Sequence, residues 1–275
     1  MTLSTFPIRA LFSAKQNQHR LSIRDLALVF AILLVSANAL AGSRPILKAV
    51  TADNNFPYNF LNGSEVQGSS VDLARSLADR LGYELDVEVL PWTRAINTAQ
   101  TTPEVLIFSI SKTRERQDLF YWIGPVSNSE EWLYKLKSRK DISIKTIDDV
   151  RKYVLGDEAS NATIPAYLKL GIQVDTAPSM LSNCKKFKIG RVDLIAFDPA
   201  GVKNILEPCG LTVDDVEKTV RSPRDTAIYF ALGKNTSVVL VEKFKNEFAR
   251  MLKDHSIEKI NEKWLPRGAP QKQIK

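Results

Sequence analysis

Apolar positions along the chain follow two different spacings. Short apolar or alternating runs predict strands at residues 46–51, 84–90, 105–110, 153–155, 172–176, 194–197 and 227–232. Apolar residues three or four positions apart predict amphipathic helices that begin near residues 70, 92, 166, 180, 237 and 256. Strands that alternate with helices are typical of a mostly parallel sheet with helices on both faces. The pattern therefore predicts an α/β protein.

The sequence contains signals for both ends of the helix that is predicted to begin near residue 70. Leu73, Leu77 and Leu81 are spaced four apart and form one apolar stripe. Ser70 is the predicted N-cap, and Gly82 occupies a position that favours a left-handed C-cap. The same alternation continues through both halves of the chain without a strict repeat. We therefore expect two α/β lobes rather than one large sheet.

Residues 1–41 have the features of a secretory signal peptide. The first 24 residues carry four arginines and lysines and no acid, and residues 26–35 are an unbroken apolar run. Ala39-Leu40-Ala41 supplies the small-x-small pattern of a cleavage site. The apolar run is shorter than the ~20 residues that span a bilayer. We expect cleavage before Gly42 and a periplasmic mature protein; an uncleaved N-terminal anchor is the alternative.

Charge and composition exclude some classes of function. The 275-residue chain has 38 basic and 31 acidic residues, a formal net charge of +7, and four of the basic residues lie in the leader. No block of five or six like charges occurs, so nucleic-acid binding has little support. The two histidines are His19, in the leader, and His255. We expect no metal site and no cofactor.

Two cysteines, Cys184 and Cys209, are close in sequence. An exported chain meets oxidising conditions, in which an even number of cysteines favours pairing. We therefore predict one intramolecular disulfide. Two buried free thiols are the alternative.

Hydrolytic and phosphate-binding motifs are absent, with no Gly-x-Ser-x-Gly, Walker loop or HExxH. Two other segments carry charged and hydroxyl side chains after predicted strands. Residues 109–116 are Ser-Ile-Ser-Lys-Thr-Arg-Glu-Arg, and residues 190–198 are Gly-Arg-Val-Asp-Leu-Ile-Ala-Phe-Asp. With the Asp53 loop and the ending at Trp264, the sequence resembles the bacterial extracellular solute-binding protein family 3, the periplasmic amino-acid receptors, from about Leu47 to Trp264.

The resemblance implies a two-lobed periplasmic-binding-protein-like fold of type II. Each lobe would be a mostly parallel sheet flanked by helices, and two hinge strands would cross between the lobes. Lobe I would comprise residues 42–126 plus 227–275, and lobe II residues 127–226. It further implies capture of a small ligand, an amino acid or related carboxylate, in the cleft between the lobes. The expected protein is a monomer that serves a membrane permease of an ABC transporter.

Residue by residue, the resemblance assigns the ligand's α-carboxylate to Arg116, since a guanidinium can donate two parallel hydrogen bonds to a carboxylate. Ser109 and Ser111 would assist, because strand alternation places both on one face. Asp198 would hold the ligand's ammonium group. Each assignment has an alternative. Arg116 could be a surface arginine, and Ser109 and Ser111 could simply be solvated at a strand end. Asp198 could cap a helix ahead of Pro199.

Two loops supply the remaining candidates. Asp53 and Phe56 correspond to the acid and the aromatic residue of the family's first loop; core packing is the alternative for Phe56. Ser160 and Asn161 lie where the family offers polar groups from the second lobe. The sequence departs from the family there, because Ala159 replaces a favoured glycine and two acids precede it. Trp92 and Arg94 are further cleft candidates.

Two other functions remain open at this point. One is an enzyme on the same fold, similar to the periplasmic cyclohexadienyl dehydratases, with Asp157, Glu158 and Asp198 as candidate acids or bases. The other is a sensor that signals by closure of its lobes. The interpretation that we carry forward is a solute-binding protein that is not an enzyme.

Overall fold

The computed structural model describes residues 43–53, 55–223 and 226–264, so the predicted leader lies outside the described residues. The strands are β1 Ile46–Thr51, β2 Phe60–Asn62, β3 Glu65–Gln67, β4 Glu84–Val89, β5 Leu106–Ser111, β6 Phe120–Ser129, β7 Trp132–Leu136, β8 Val154–Glu158, β9 Gln173–Ala177, β10 Leu194–Phe197, β11 Val216–Arg221 and β12 Thr226–Gly233. The helices are α1 Ser69–Arg80, α2 Trp92–Thr101, α3 Ile164–Lys169, α4 Met180–Lys188, α5 Val202–Leu206, α6 Val238–Lys253 and α7 Ser256–Trp264.

Ten of these strands form two five-stranded sheets, with orders β4-β1-β5-β12-β6 and β11-β7-β10-β8-β9. In the first sheet β1 pairs in parallel with β4 and β5, whereas β12 is antiparallel to both of its neighbours. In the second sheet β8 is parallel to β9 and β10, whereas β7 is antiparallel to both of its neighbours. All strands of each sheet but one thus run in the same direction, which confirms the predicted mostly parallel sheets.

Helices cover both faces of each sheet, as parallel sheets require because both of their faces are apolar. On β1, Leu47 and Ala49 pack into the same core as α1 and α6, while Val50 packs with α2. In the second sheet, one core contains apolar residues of α4 and α5, and the other contains Tyr167 of α3. The apolar periodicity of the sequence therefore predicted which element faces are buried.

The chain passes between the sheets twice. β6 belongs to the first sheet and β7, two residues later, to the second. The return lies between β11 and β12. The backbone carbonyl of Glu131 accepts a hydrogen bond from the amide of Ser222 at 2.9 Å, so the two crossing segments contact each other. No helix in the described ranges is long and apolar enough to cross a membrane.

Helix α1 begins one residue earlier than predicted, and its N-cap is Gly68 rather than Ser70. Gly68 has φ of +130°, and a Cβ at this position would lie 2.3 Å from the carbonyl oxygen of Tyr58. Only glycine fits a backbone approach this close. The predicted N-cap was wrong because a tertiary contact, which the local sequence does not show, determines where the helix begins.

Cys184 and Cys209 form a disulfide, as predicted. Cys184 lies in α4, and Cys209 ends the short 3₁₀ helix Glu207–Cys209. Both cysteines are buried in the core beneath α4 and α5. The bond joins positions 25 residues apart, so it restricts the unfolded chain and adds to the stability of the second sheet's core.

Candidate functional site

The carboxyl ends of strands from both sheets face one cleft, which has a volume of about 890 Å³ with its open mouth included. In open α/β sheets ligands bind at this end, because the loops that follow the strands bring side chains into one crevice. The lining consists of Thr51, Ala52, Asp53, Asn55, Phe56, Asn59, Trp92, Ser109, Ser111, Arg116, Glu131, Glu158, Asn161, Ala162, Met180, Ala196, Phe197, Asp198, Ile205 and Ile228.

Arg116 lies in the turn after β5. Its amide donates to the carbonyl and hydroxyl oxygens of Thr113, at 3.2 and 3.3 Å, which explains the Thr-x-x-Arg spacing. The guanidinium donates to the carbonyl of Ser111 at 3.4 Å and to the carbonyl of Ser160 from the opposite side of the cleft. It also lies 5.8 Å from the ring centroid of Trp92. The residue is only 9% exposed, so it is not a solvated surface arginine.

Ser109 and Ser111 both line the cleft, but the strand between them is irregular. Ser109 has φ of +59°, and the register of β12 shifts between Tyr229 and Phe230, opposite this residue. An extra residue of this kind is a β-bulge, which turns a side chain away from its regular direction. Regular alternation was therefore the wrong reason for pairing the two serines. The Ser109 hydroxyl is buried and has no hydrogen-bond partner within the described residues.

Asp198 follows β10, and its carboxylate has several bonding partners. Oδ1 accepts a hydrogen bond from the amide of Ala200 at 2.9 Å and caps the 3₁₀ helix Pro199–Gly201, which confirms the predicted capping role. Oδ2 accepts from the hydroxyl of Tyr58 at 3.1 Å and from the amide of Glu130 at 3.3 Å. These donors come from separate segments, and together they fix the carboxylate in the cleft lining.

Asp53 and Phe56 line the cleft from the loop after β1. Oδ1 of Asp53 accepts a hydrogen bond from the amide of Leu61 at 2.7 Å. The Phe56 ring packs on Phe60, with ring centroids 4.9 Å apart. A Cβ on Gly201 would lie 2.8 Å from the carbonyl oxygen of Phe56, so the two sides of the cleft touch here.

The loop after β8 holds the last two predicted residues. Asn161 lines the cleft and donates to Oδ1 of Asp157 at 2.8 Å. Ser160 lies outside the lining; its carbonyl accepts from Arg116, and its Oγ is 3.1 Å from Oγ1 of Thr93. Ser160 thus joins the two sides of the cleft rather than facing its interior. The structure brings the other seven predicted residues into one cleft, together with Trp92, whereas Arg94 is exposed.

Sequence reasoning missed Glu131, which lines the cleft between β6 and β7. Burial, and secondarily the charge of Asp198, raises the pKa of Glu131. Burial, followed by the charge of Asp53, raises the pKa of Glu158 to about 8. The described part of the lining thus combines one guanidinium with four carboxyl groups. Two consecutive glutamates directly before an apolar strand are the sequence signal that points to Glu131.

Asp157 lies behind the lining and is 1% exposed. Burial, and then the charge of Glu131, raises its pKa well above the ordinary value. Its Oδ2 has no hydrogen-bond partner within the described residues. Asp157 therefore does not face the cleft, and of the three acids considered for catalysis only Glu158 and Asp198 do. Within the described ranges, no group of three potential ligands is arranged to hold a metal ion.

The raised pKa of Glu158 makes the stability of the ligand-free protein depend on pH. Glu158 keeps its proton to about pH 8 in the folded state, whereas an unfolded glutamate loses it near pH 4.3. Between these values the folded state binds more protons, so stability falls as pH rises. Glu131 and Asp157 act in the same direction. We expect a higher Tm at pH 5.5 than at pH 8.

Glu158→Gln should flatten this dependence, since glutamine does not titrate. Glu88→Gln, at an exposed position, is the matched control and should leave the wild-type slope unchanged. Thermal unfolding at several pH values measures both. A wild-type Tm that rises steadily from pH 5.5 to pH 8 would contradict this assignment of the proton.

Comparison with known proteins finds a matching family and two relatives of similar length. A family model described as bacterial extracellular solute-binding proteins, family 3, matches residues 47–267. The arginine-binding extracellular protein ArtP of Bacillus subtilis (strain 168) is 22% identical over 243 residues, which are 82% of this chain and 88% of ArtP. The L-cystine-binding protein TcyA of the same organism is 24% identical over 217 residues, 76% of each chain.

A solved structure with the same fold is the ancestral amino acid-binding protein AncCDT-1, a precursor of cyclohexadienyl dehydratase. Its TM-score is 0.68 at 19% identity, over 85% of this chain and 100% of that chain. A likeness at this identity concerns the fold, so the two-lobed arrangement is common to both proteins while their ligands are a separate question.

Proposed function

Because the chain belongs to the bacterial extracellular solute-binding proteins, family 3, we propose that it captures a free amino acid with a cationic side chain in its inter-lobe cleft. The composition of the lining carries this proposal. One guanidinium, from Arg116, faces four carboxyl groups, from Asp53, Glu131, Glu158 and Asp198. A single negative group on the ligand matches the guanidinium, and more than one positive group is needed to match the carboxyl groups.

Each end of such a ligand has a matching group. The α-carboxylate would accept hydrogen bonds from Arg116, whose position is fixed by Thr113 and by the Trp92 ring. The α-ammonium would donate to Asp198. The side-chain cation would lie towards Asp53 and Glu158, which face it from opposite sides of the cleft and are close enough for Asp53 to raise the pKa of Glu158. A cation between them would relieve this repulsion.

The two curated relatives favour different ligands. ArtP is named as arginine-binding, and an arginine would meet the excess of carboxyl groups. TcyA is named as L-cystine-binding, and cystine carries two carboxylates. The residues of the lining that the structure describes include one arginine and no lysine to receive them. The charge of the cleft therefore favours arginine or lysine over cystine.

Capture would take place outside the cytoplasm and feed uptake through a membrane permease of an ABC transporter. Export of residues 42–275 after removal of the leader, to the periplasm, is part of this proposal, as is a monomeric state. Lobe I would contain residues 42–126 and 227–275, and lobe II residues 127–226. The lobes would close on the ligand by bending at the two crossings, and the closed form would offer the permease a new surface.

One alternative has a specific observation in its favour. Glu158 faces the cleft and keeps a proton at neutral pH, as a general acid must, and AncCDT-1 is the precursor of a dehydratase. Cyclohexadienyl dehydratases act on prephenate and arogenate, and both of these substrates carry two carboxylates. The lining offers these one guanidinium among four carboxyl groups, so we favour binding over catalysis.

The test is a thermal-shift and calorimetric comparison of arginine, lysine, citrulline, glutamate and prephenate. Citrulline matters most, because it has the shape of arginine without the side-chain charge. We expect arginine or lysine to bind more tightly than citrulline, with a stabilisation of ~2.7 kcal/mol when free ligand is at a hundred times Kd. We expect no shift with glutamate and no turnover of prephenate. Preference for glutamate, or turnover of prephenate, would refute the proposal.

A further inference from the structure

Glu131 occupies the point at which the chain leaves the first sheet for the second. Its backbone carbonyl accepts from the amide of Ser222, in the segment by which the chain returns. Its side-chain Oε2 accepts from the hydroxyl of Thr163 at 3.1 Å. The backbone of Glu131 is thus held by the returning crossing and its side chain by the loop after β8, and the residue is part of the cleft lining.

The charge around Glu131 is unbalanced. Glu131 is half-buried, and this burial, followed by the charge of Asp198, raises its pKa. Within the described residues, no lysine or arginine forms an ion pair with Glu131. Two carboxyl groups this close in a cleft favour a cation between them.

The bonding of Asp198 shows that one carboxylate is not enough for an ammonium group. An ammonium has three N–H donors that point in different directions. Asp198 already accepts hydrogen bonds from Ala200, Tyr58 and Glu130, and these donors fix its orientation. A second acceptor must therefore come from another side of the bound group. Glu131 lines the same cleft, and the amide of the residue before it, Glu130, donates to Asp198, so the two acids lie near each other.

We propose that Glu131 is a second anchor for the ligand's α-ammonium, which binds between the carboxyl groups of Glu131 and Asp198. This inference rests on the proposed capture of an amino acid, but it is independent of the ligand's side chain. Glu131 would thereby select for an α-ammonium group. Since Glu131 also joins the two crossing segments, it would link occupancy of the cleft to the part of the chain that bends.

The experiment compares amino acids with analogues that lack only the α-ammonium. The probe pairs are arginine with 5-guanidinopentanoate and glutamine with 4-carbamoylbutanoate. Calorimetry gives the affinity of the wild type and of Glu131→Gln for each. Glutamine at this position retains an oxygen that accepts from Thr163 and removes the charge. We expect the variant to lose about tenfold to a hundredfold in affinity for the amino acid, and to bind the analogue as the wild type does.

Glu130→Gln is the matched control, because Glu130 precedes Glu131 but pairs with Arg221 outside the cleft lining, at 3.0 Å. The variant keeps the backbone amide of Glu130 that donates to Asp198 and changes only the side chain, so it should bind both members of each pair as the wild type does. Ligand-free Glu131→Gln should unfold at a temperature no lower than the wild type, since it loses a buried repulsion.

Several outcomes would overturn the inference. Equal losses for an amino acid and its analogue would indicate a structural role, and no loss for either would exclude a contact. If glutamine binds and arginine does not, the proposed preference for a cationic side chain fails, while a selective loss of glutamine affinity in Glu131→Gln still supports this inference. If no amino acid binds, both proposals fail.

Discussion

Replacement of Arg116 by alanine should abolish amino-acid binding while the protein stays folded. Among the described residues, Arg116 is the one arginine or lysine that lines the cleft, and it is almost fully buried. Without it, the ligand's α-carboxylate would be buried among carboxyl groups with no cation beside it. Truncation of one partner of a buried charge pair costs about 2–5 kcal/mol. That corresponds to a loss of affinity of about 30-fold to several thousand-fold, which calorimetric titration with arginine will measure.

Two further variants make this result specific. Arg114→Ala is the control, because Arg114 belongs to the same segment but is exposed, and it should bind as the wild type does. Arg116→Lys should rescue binding only in part, since an ammonium cannot reproduce the paired donors of a guanidinium. Equal losses at positions 114 and 116 would show that the resemblance identifies the wrong arginine.

Replacement of Asp198 by asparagine should separate the two roles of this residue. Asparagine is as good an N-cap as aspartate, so the bond from Ala200 should persist. Its amide nitrogen would replace the Oδ2 that accepts from Tyr58 and Glu130, so the Tm of the ligand-free protein should fall only through the loss of those bonds. The negative charge that faces the ligand's ammonium is lost. We expect affinity for arginine to fall by at least about 30-fold, which calorimetry will measure.

Asp198→Ala provides the comparison. It removes both the charge and the cap, so it should lower affinity as much as asparagine does and also cost about 1 kcal/mol of stability. Since both variants lose the Oδ2 that accepts from Tyr58 and Glu130, the difference in Tm between them reports mainly the cap. Unchanged arginine affinity in Asp198→Asn would exclude an ammonium contact at this position.

The strands β6, β7 and β11 were not predicted from the sequence, and the reason is the same for all three. β6 contains Gly124 and Pro125 in its interior, and local preferences argue against a strand through such residues. It is nevertheless a strand, because it pairs with β12 along most of its length. β11 likewise pairs with β7, and β7 also pairs with β10. Pairing partners distant in sequence, rather than local pattern, determine these elements.

The sequence by itself determined the α/β alternation, most of the strands and helices, the disulfide and the segments that reach the cleft. Apolar periodicity records which face of an element is buried, and this is a local property of the chain. The Thr-x-x-Arg spacing is equally local, because the amide of Arg116 bonds to Thr113 within one turn. These features could therefore be predicted without knowing how the elements assemble.

Only the tertiary structure decided the charge of the cleft. Asp53, Glu131, Glu158 and Asp198 lie at the ends of four different strands of two sheets. The resemblance assigns Asp53 and Asp198 to the cleft, but local sequence does not show that all four meet. Burial and then the charge of Asp53 raise the pKa of Glu158, and burial and then the charge of Asp198 raise the pKa of Glu131. Electrostatic interaction depends on distance in space rather than along the chain. The preference that we propose for a cationic ligand, and the role of Glu131, therefore follow from the fold.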